Sequence, residues 1–161
     1  MPTFHFETTV ALPLERVWAM FEDIETILPA LTPPEQEMEL ISASPLPPRV
    51  GTEVRLSAKT PIGRKTWLAR YIEYVPPHDT PKGRAAWFVD QQVEGPFTAW
   101  THAHRLEAID ATSTRLIDHI DYTPPGGLAG RMAATMLVTP QLNKLFAYRS
   151  KALQERAAAM K

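Results

Sequence analysis

Apolar and polar residues in this chain first alternate, then recur at helical spacing, then alternate again for most of the length, and finally return to helical spacing. In Thr3–Val10, Phe4, Phe6 and Thr8 lie opposite His5, Glu7 and Thr9. Side chains on a strand change face at every residue, so this pattern predicts a half-buried first strand. Pro13 opens a helical stretch in which Leu14, Val17, Trp18, Phe21, Ile24 and Leu28 recur every three or four residues, with Glu15, Arg16, Glu22 and Glu25 turned outward. Asp23 is placed to cap a second short helix, so a division is expected near Glu22–Asp23, with Pro29 and the Thr32–Pro33–Pro34 turn ending the stretch.

Short strand-like segments follow at Met38–Ala43, Gly51–Lys59, Lys65–Val75, Ala85–Val93, Thr98–Ala108 and Thr114–Tyr122. Pro61–Gly63, Gly95–Pro96 and Ile109–Ser113 supply tight turns. Consecutive strands with short connections imply an antiparallel meander, because parallel neighbours need long crossovers. Pro76–Arg84 (PPHDTPKGR) is too polar for a core and predicts an exposed loop. From Gly130 onward Met132, Met136, Leu137, Leu142, Leu145, Phe146, Arg149, Leu153, Ala157 and Met160 form a long helical stripe, which Pro140 should kink or restart. The glycine-rich run at 126–130 lacks phosphate-loop and dinucleotide spacing and reads as a turn that lets this helix fold back.

Composition narrows the class. A chain of 161 residues with 44% hydrophobic content suits one globular domain spanning 1–161. With 17 basic and 18 acidic residues there is no field to attract nucleic acid or an anionic membrane. No apolar run is long enough for stable membrane insertion. The lack of cysteine removes disulfides and thiolate chemistry and, with no signal-peptide pattern at the start, leads us to expect a cytoplasmic protein. Oligomeric state is not legible.

The order of strand, two short helices, six strands and a long helix resembles the helix-grip fold of the START and Bet v 1-like superfamily, also called SRPBCC. It is most similar to the bacterial ligand-binding and polyketide cyclase/dehydrase-like members. The resemblance covers essentially the whole chain. It rests on Val17–Trp18 with Phe21, Leu31–Thr32–Pro33–Pro34, Trp67, Phe88–Val89–Asp90–Gln91–Gln92, Gly95–Pro96–Phe97, Trp100-x-His102-x-His104, Asp118-x-Ile120-x-Tyr122 with Pro124–Pro125 and Gly127, and Phe146–Ala147–Tyr148–Arg149. PPHDTPKGR is longer than the family pattern at that hairpin. The resemblance implies an α+β fold, with a curved seven-stranded antiparallel sheet, two short helices and a long C-terminal helix across its concave face. It also implies a hydrophobic cavity for a lipid-, sterol- or polyketide-like molecule, and it does not by itself imply a reaction.

Within that frame Trp100, His102, His104 and Leu106 share one strand face opposite Ala99, Thr101, Ala103 and Arg105, which places the aromatic side inward. On the next strand the resemblance favours Asp118 and Tyr122 inward. Expected ligand-binding residues are Trp67, Asp90, Phe97, Trp100, His102, His104, Asp118, Tyr122 and Arg149. Arg149 interrupts an apolar stripe, so if buried it needs Asp90, Asp118 or a ligand carboxylate; otherwise it snorkels to solvent. His102, His104 and Asp118 are candidates for acid/base catalysis of the cyclase/dehydrase kind, but no nucleophile stands beside them. Two histidines at i and i+2 with Asp90 or Asp118 also suit Zn²⁺, yet spacing does not locate a third ligand, and no metal or other cofactor is assigned. The leading reading is binding of an apolar small molecule; an enzyme comes second, and a groove for a partner's apolar segment third.

Overall fold

A computed structural model describes Met1–Lys161. Its elements are β1 (Thr3–Val10), α1 (Leu14–Glu22), α2 (Ile24–Ala30), a 3-10 turn at Pro34–Gln36, β2 (Glu39–Ser44), β3 (Glu53–Thr60), β4 (Gly63–Thr80), β5 (Gly83–Glu94), β6 (Ala99–Asp110), β7 (Ser113–Thr123) and α3 (Gly127–Ala159). All seven strands form one antiparallel sheet in the order β1-β7-β6-β5-β4-β3-β2. The six later strands are therefore a meander, and β1 closes its far edge against β7. No helix is long and apolar enough to cross a membrane.

The periodicities explain the layering. Leu14, Val17, Trp18, Ile24 and Ile27 turn from α1 and α2 onto Val54, Tyr71, Phe88, Leu106 and Leu116 of the sheet, where Leu153 and Ala157 of α3 complete the main core. Each such aliphatic side chain removed from water contributes about 1.5–3 kcal/mol. A second, smaller cluster joins Phe4, Ile120, Tyr122, Leu142 and Phe146, and it carries the middle of α3 across β1, β7 and β6.

Several expectations are corrected. Pro76–Arg84 is not a loop, because β4 continues to Thr80 and β5 begins at Gly83. A bulge between Val75 and His78 absorbs the two prolines that lack N–H groups. The Thr80 hydroxyl donates to the Gly83 carbonyl at 2.6 Å and so closes the tip. Asp23 precedes α2 but makes no side-chain cap. Pro140 does not restart the terminal helix, which runs from Gly127 to Ala159 as one element. Met132, Met136 and Leu137 are exposed instead of buried, because they lie on the sides of α3 turned to solvent, while Val138 of the same stretch packs against the Phe4–Ile120–Tyr122 cluster. Gly126 and Gly127 both take positive φ (98° and 65°) at the start of the helix, a region that side-chain-bearing residues avoid.

Candidate functional site

Register on the inner face builds the site. Asp90 of β5 lies opposite His102 of β6, and His104 of β6 lies opposite Asp118 of β7. The strongest contacts run diagonally across this square. The Nε2–H of His102 donates to Asp118 Oδ1 at 2.8 Å, and the Nε2–H of His104 donates to Asp90 Oδ2 at 2.8 Å. Asp118 Oδ1 also lies 3.2 Å from His104 Nδ1, so one carboxylate oxygen touches both rings. The two imidazoles are 3.6 Å apart between centroids, and Phe88 stacks on the far side of His104 at 4.1 Å. All four polar side chains are at most 16% exposed.

Protonation follows from these partners. Burial, followed by the charge on His104, pushes His102 below its ordinary pKa, against the opposing hydrogen bond to Asp118. Burial alone would also depress His104, but hydrogen bonds and charge from Asp118 and Asp90 outweigh it and raise its pKa. Burial works to raise Asp118, yet its contacts with both histidines hold it well below the usual carboxylate range. His104, lying between two carboxylates, thus holds a second proton more readily than a free imidazole does. His102 is a neutral ring whose Nδ1 is a lone pair outside the hydrogen-bond network.

Arg149 comes to the same place from α3. It does not pair directly with Asp90 or Asp118: its Nε–H donates to the Leu31 carbonyl at 3.2 Å, and its guanidinium lies 5.0 Å over the Phe146 ring. Burial lowers its pKa, while the charges of Asp118 and then Asp90 oppose that shift. Two carboxylates, Asp90 and Asp118, therefore face two groups able to carry positive charge, His104 and Arg149. Phe146 bridges the two halves, with its ring edge-on to His102 at 5.6 Å.

Beside this polar square the remaining expected residues form an aromatic cluster. Trp100 lies 5.2 Å from Trp67, 4.9 Å from Phe97 and 6.0 Å from Tyr122. Gln92 fixes the turn that presents Phe97, donating from Nε2 to the Phe97 carbonyl at 2.7 Å and accepting the Phe97 N–H at 3.3 Å. The structure therefore brings all nine expected residues to one face in two adjoining groups. It adds Phe88, Tyr71, Gln92 and Phe146. Phe88 was detectable two residues before Asp90 on the same face, and Phe146 one helical turn before Arg149. Burial and the nearby Asp90 charge raise the Tyr71 pKa, so this phenol stays protonated.

At the wall the protein's own rings pack against one another. Separate cavities of about 600 and 420 Å³ lie elsewhere, the first between α1, α2 and the end of α3 near Met20, Ile27 and Met160, the second near Leu12, Thr112 and Lys161. Neither touches the His–Asp square, and its chemistry makes the square the better candidate site. One donor atom each from Asp90, His102 and His104 lie within 4.8 Å of one another, a set able to hold a metal ion.

No protein-family profile and no curated protein sequence matches the chain. Solved structures do match. A START superfamily protein from Mycobacterium smegmatis is similar at TM-score 0.68 and 16% identity, covering 99% of each chain. The Zhui aromatase/cyclase from Streptomyces sp. R1128 is similar at TM-score 0.67 and 18% identity, covering 98% of this chain and 93% of that one. Norcoclaurine synthase from Thalictrum flavum, solved in complex with dopamine and hydroxybenzaldehyde, is similar at TM-score 0.65 and 16% identity over 99% and 88%. The chain has the START-like, Bet v 1-like helix-grip fold. Proteins of that fold include small-molecule-binding and cyclase members.

Proposed function

We propose that this chain binds an apolar small molecule between its sheet and α3, the Trp67–Phe97–Trp100–Tyr122 cluster holding the body and the His102–His104–Asp90–Asp118 square orienting the polar end. The observation that carries the reading is the mutually bonded His–Asp square itself, buried beside Phe146 and Arg149. Replacing buried ionic groups by apolar ones is commonly neutral or stabilising, so stability alone is a poor reason to keep them. Entry requires the packed rings to part.

The test is native mass spectrometry of gently purified protein, followed by thermal-shift screening of the delipidated chain with palmitic acid, a sterol and a polyhydroxyanthraquinone. A co-purifying molecule, or a rise in Tm that Trp100→Ala abolishes, supports the reading. An empty chain that responds to none of the three overturns it.

A second reading has its own support. His102 Nδ1 is a free base, its ring is oriented by Asp118, and the cationic His104 stands beside it, which is an arrangement suited to enolising a ketone in a cyclase/dehydrase-type reaction. On this reading His102→Ala and His104→Ala abolish turnover of a bound substrate while binding persists. Unchanged turnover removes it.

A further inference from the structure

We propose that Asp90, His102 and His104 form a binding site for one first-row divalent metal ion, Zn²⁺ foremost, with Asp118 orienting both histidines. The third ligand that sequence spacing left unplaced is Asp90: β5–β6 register sets it opposite His102, and its Oδ2 faces His104 Nε2 at 2.8 Å. Metal-bound histidines characteristically hold their second ring nitrogen on a carboxylate, which fixes tautomer and ring angle. Asp118 Oδ1 does this for both rings at once, at 2.8 Å from His102 Nε2 and 3.2 Å from His104 Nδ1. The nitrogens left over are His102 Nδ1 and His104 Nε2, and they complete the set with the Asp90 carboxylate.

Distances and charge agree with this assignment. Donor atoms of the three residues lie within 4.8 Å of one another. A tetrahedral ion with bonds of about 2.0–2.2 Å holds its donors about 3.3–3.6 Å apart, so closure requires the outermost donors to move together by about an ångström. With both rings neutral, Asp90 and Asp118 outweigh Arg149 by one negative charge. A divalent ion more than offsets that charge and leaves one positive charge for a hydroxide or an anionic ligand oxygen. Donor chemistry sets the class of ion. Two imidazoles with one carboxylate suit Zn²⁺, Co²⁺ or Fe²⁺, whereas Mg²⁺ and Ca²⁺ require all-oxygen sites and Cu(I) prefers thiolates, which a chain without cysteine does not have.

This inference does not depend on which organic molecule binds. The experiment is a Co²⁺ titration of chelator-stripped full-length protein, followed by visible d–d absorption and competition with Zn²⁺. We expect one equivalent of Co²⁺ bound and displaced by Zn²⁺, loss of stoichiometric binding in Asp90→Asn and in His104→Gln, and a roughly 10- to 100-fold weaker affinity in Asp118→Asn. If Asp90→Asn fails to fold, His102→Gln replaces it. The exposed pair His5 and His119, whose rings lie 6.3 Å apart, is the control: the His5→Ala/His119→Ala double variant should bind Co²⁺ like the parent. No visible band in the parent, an unchanged band in His104→Gln, or loss of the band in the His5/His119 variant each overturns the site.

Discussion

The sheet carries the same chemistry on both of its faces. Outside, His5 pairs with Glu7 and His119 with Asp121, each at 3.1 Å; inside, His102 pairs with Asp118 and His104 with Asp90, each at 2.8 Å. Residue types nearly coincide, although the outer pairs lie along one strand and the inner pairs join neighbouring strands, and β7 contributes to both, with His119 and Asp121 facing out and Asp118 facing in. Burial separates them. The outer side chains are 42–55% exposed, so water and salt screen them and their pairing contributes little. The inner ones are 7–16% exposed and cannot ionise independently: one imidazole takes the charge, its neighbour gives it up, and an arginine from α3 completes the balance. A histidine beside a carboxylate is a functional signal only where the fold removes the solvent.

Removing a carboxylate should break the symmetry most visibly. Asp118→Ala leaves an imidazolium and a guanidinium under-compensated in the interior and should cost about 3–5 kcal/mol. Asp121→Ala should stay within about 0.5 kcal/mol. Urea unfolding of both variants reads the difference, and equal values would dissolve the distinction. Arg149→Met has a smaller expected effect, about 1–3 kcal/mol, because the guanidinium donates one hydrogen bond to Leu31 and acts on the aspartates without touching them.

The pH dependence of stability sharpens the contrast further. His104 has its pKa raised on folding, so its contribution is fully present below the unfolded value of 6.5 and is lost as pH rises through the folded value. His102 is lowered: below 6.5 the unfolded chain takes up a proton that the folded chain refuses, and stability falls as pH drops through that window. Asp118 is lowered as well, so its contribution is present above 3.8 and disappears as pH falls towards its folded value. Tm should therefore peak near neutrality, and His104→Gln should flatten the alkaline limb. The smallest effect belongs to the outer pair, where His5→Ala/His119→Ala should shift stability by no more than about 0.5 kcal/mol in chemical denaturation.

Much of this was legible beforehand for a physical reason. Period-two alternation through β6 placed Trp100, His102 and His104 on one face without coordinates, whereas on β7, where both faces are mixed, only the family resemblance turned Asp118 inward beside them. Alternation does not say which diagonal a side chain takes. The crossed pairing of His104 with Asp90 and His102 with Asp118, and the backbone partner of Arg149, come only from the folded register and the path of α3. Helical periodicity has a similar blind spot: it marks Met132, Met136 and Leu137 as apolar but not which side of α3 the sheet covers. The hairpin at 76–84 was missed because its prolines and charges resemble a loop, whereas a bulge lets them sit in paired strands.

The central claim is that the inner square, and not the outer pairs or the groove beside α1, meets the ligand. Ring ¹⁵N NMR of the five histidines tests it directly, with and without whichever of the three screened compounds raises Tm. His104 should hold its second ring proton to higher pH than His102 does, and the compound should shift these two rings while His5, His78 and His119 stay in place. It is contradicted if His102 and His104 do not move while the methyl signals of Met20 and Met160, at the 600 Å³ cavity, do.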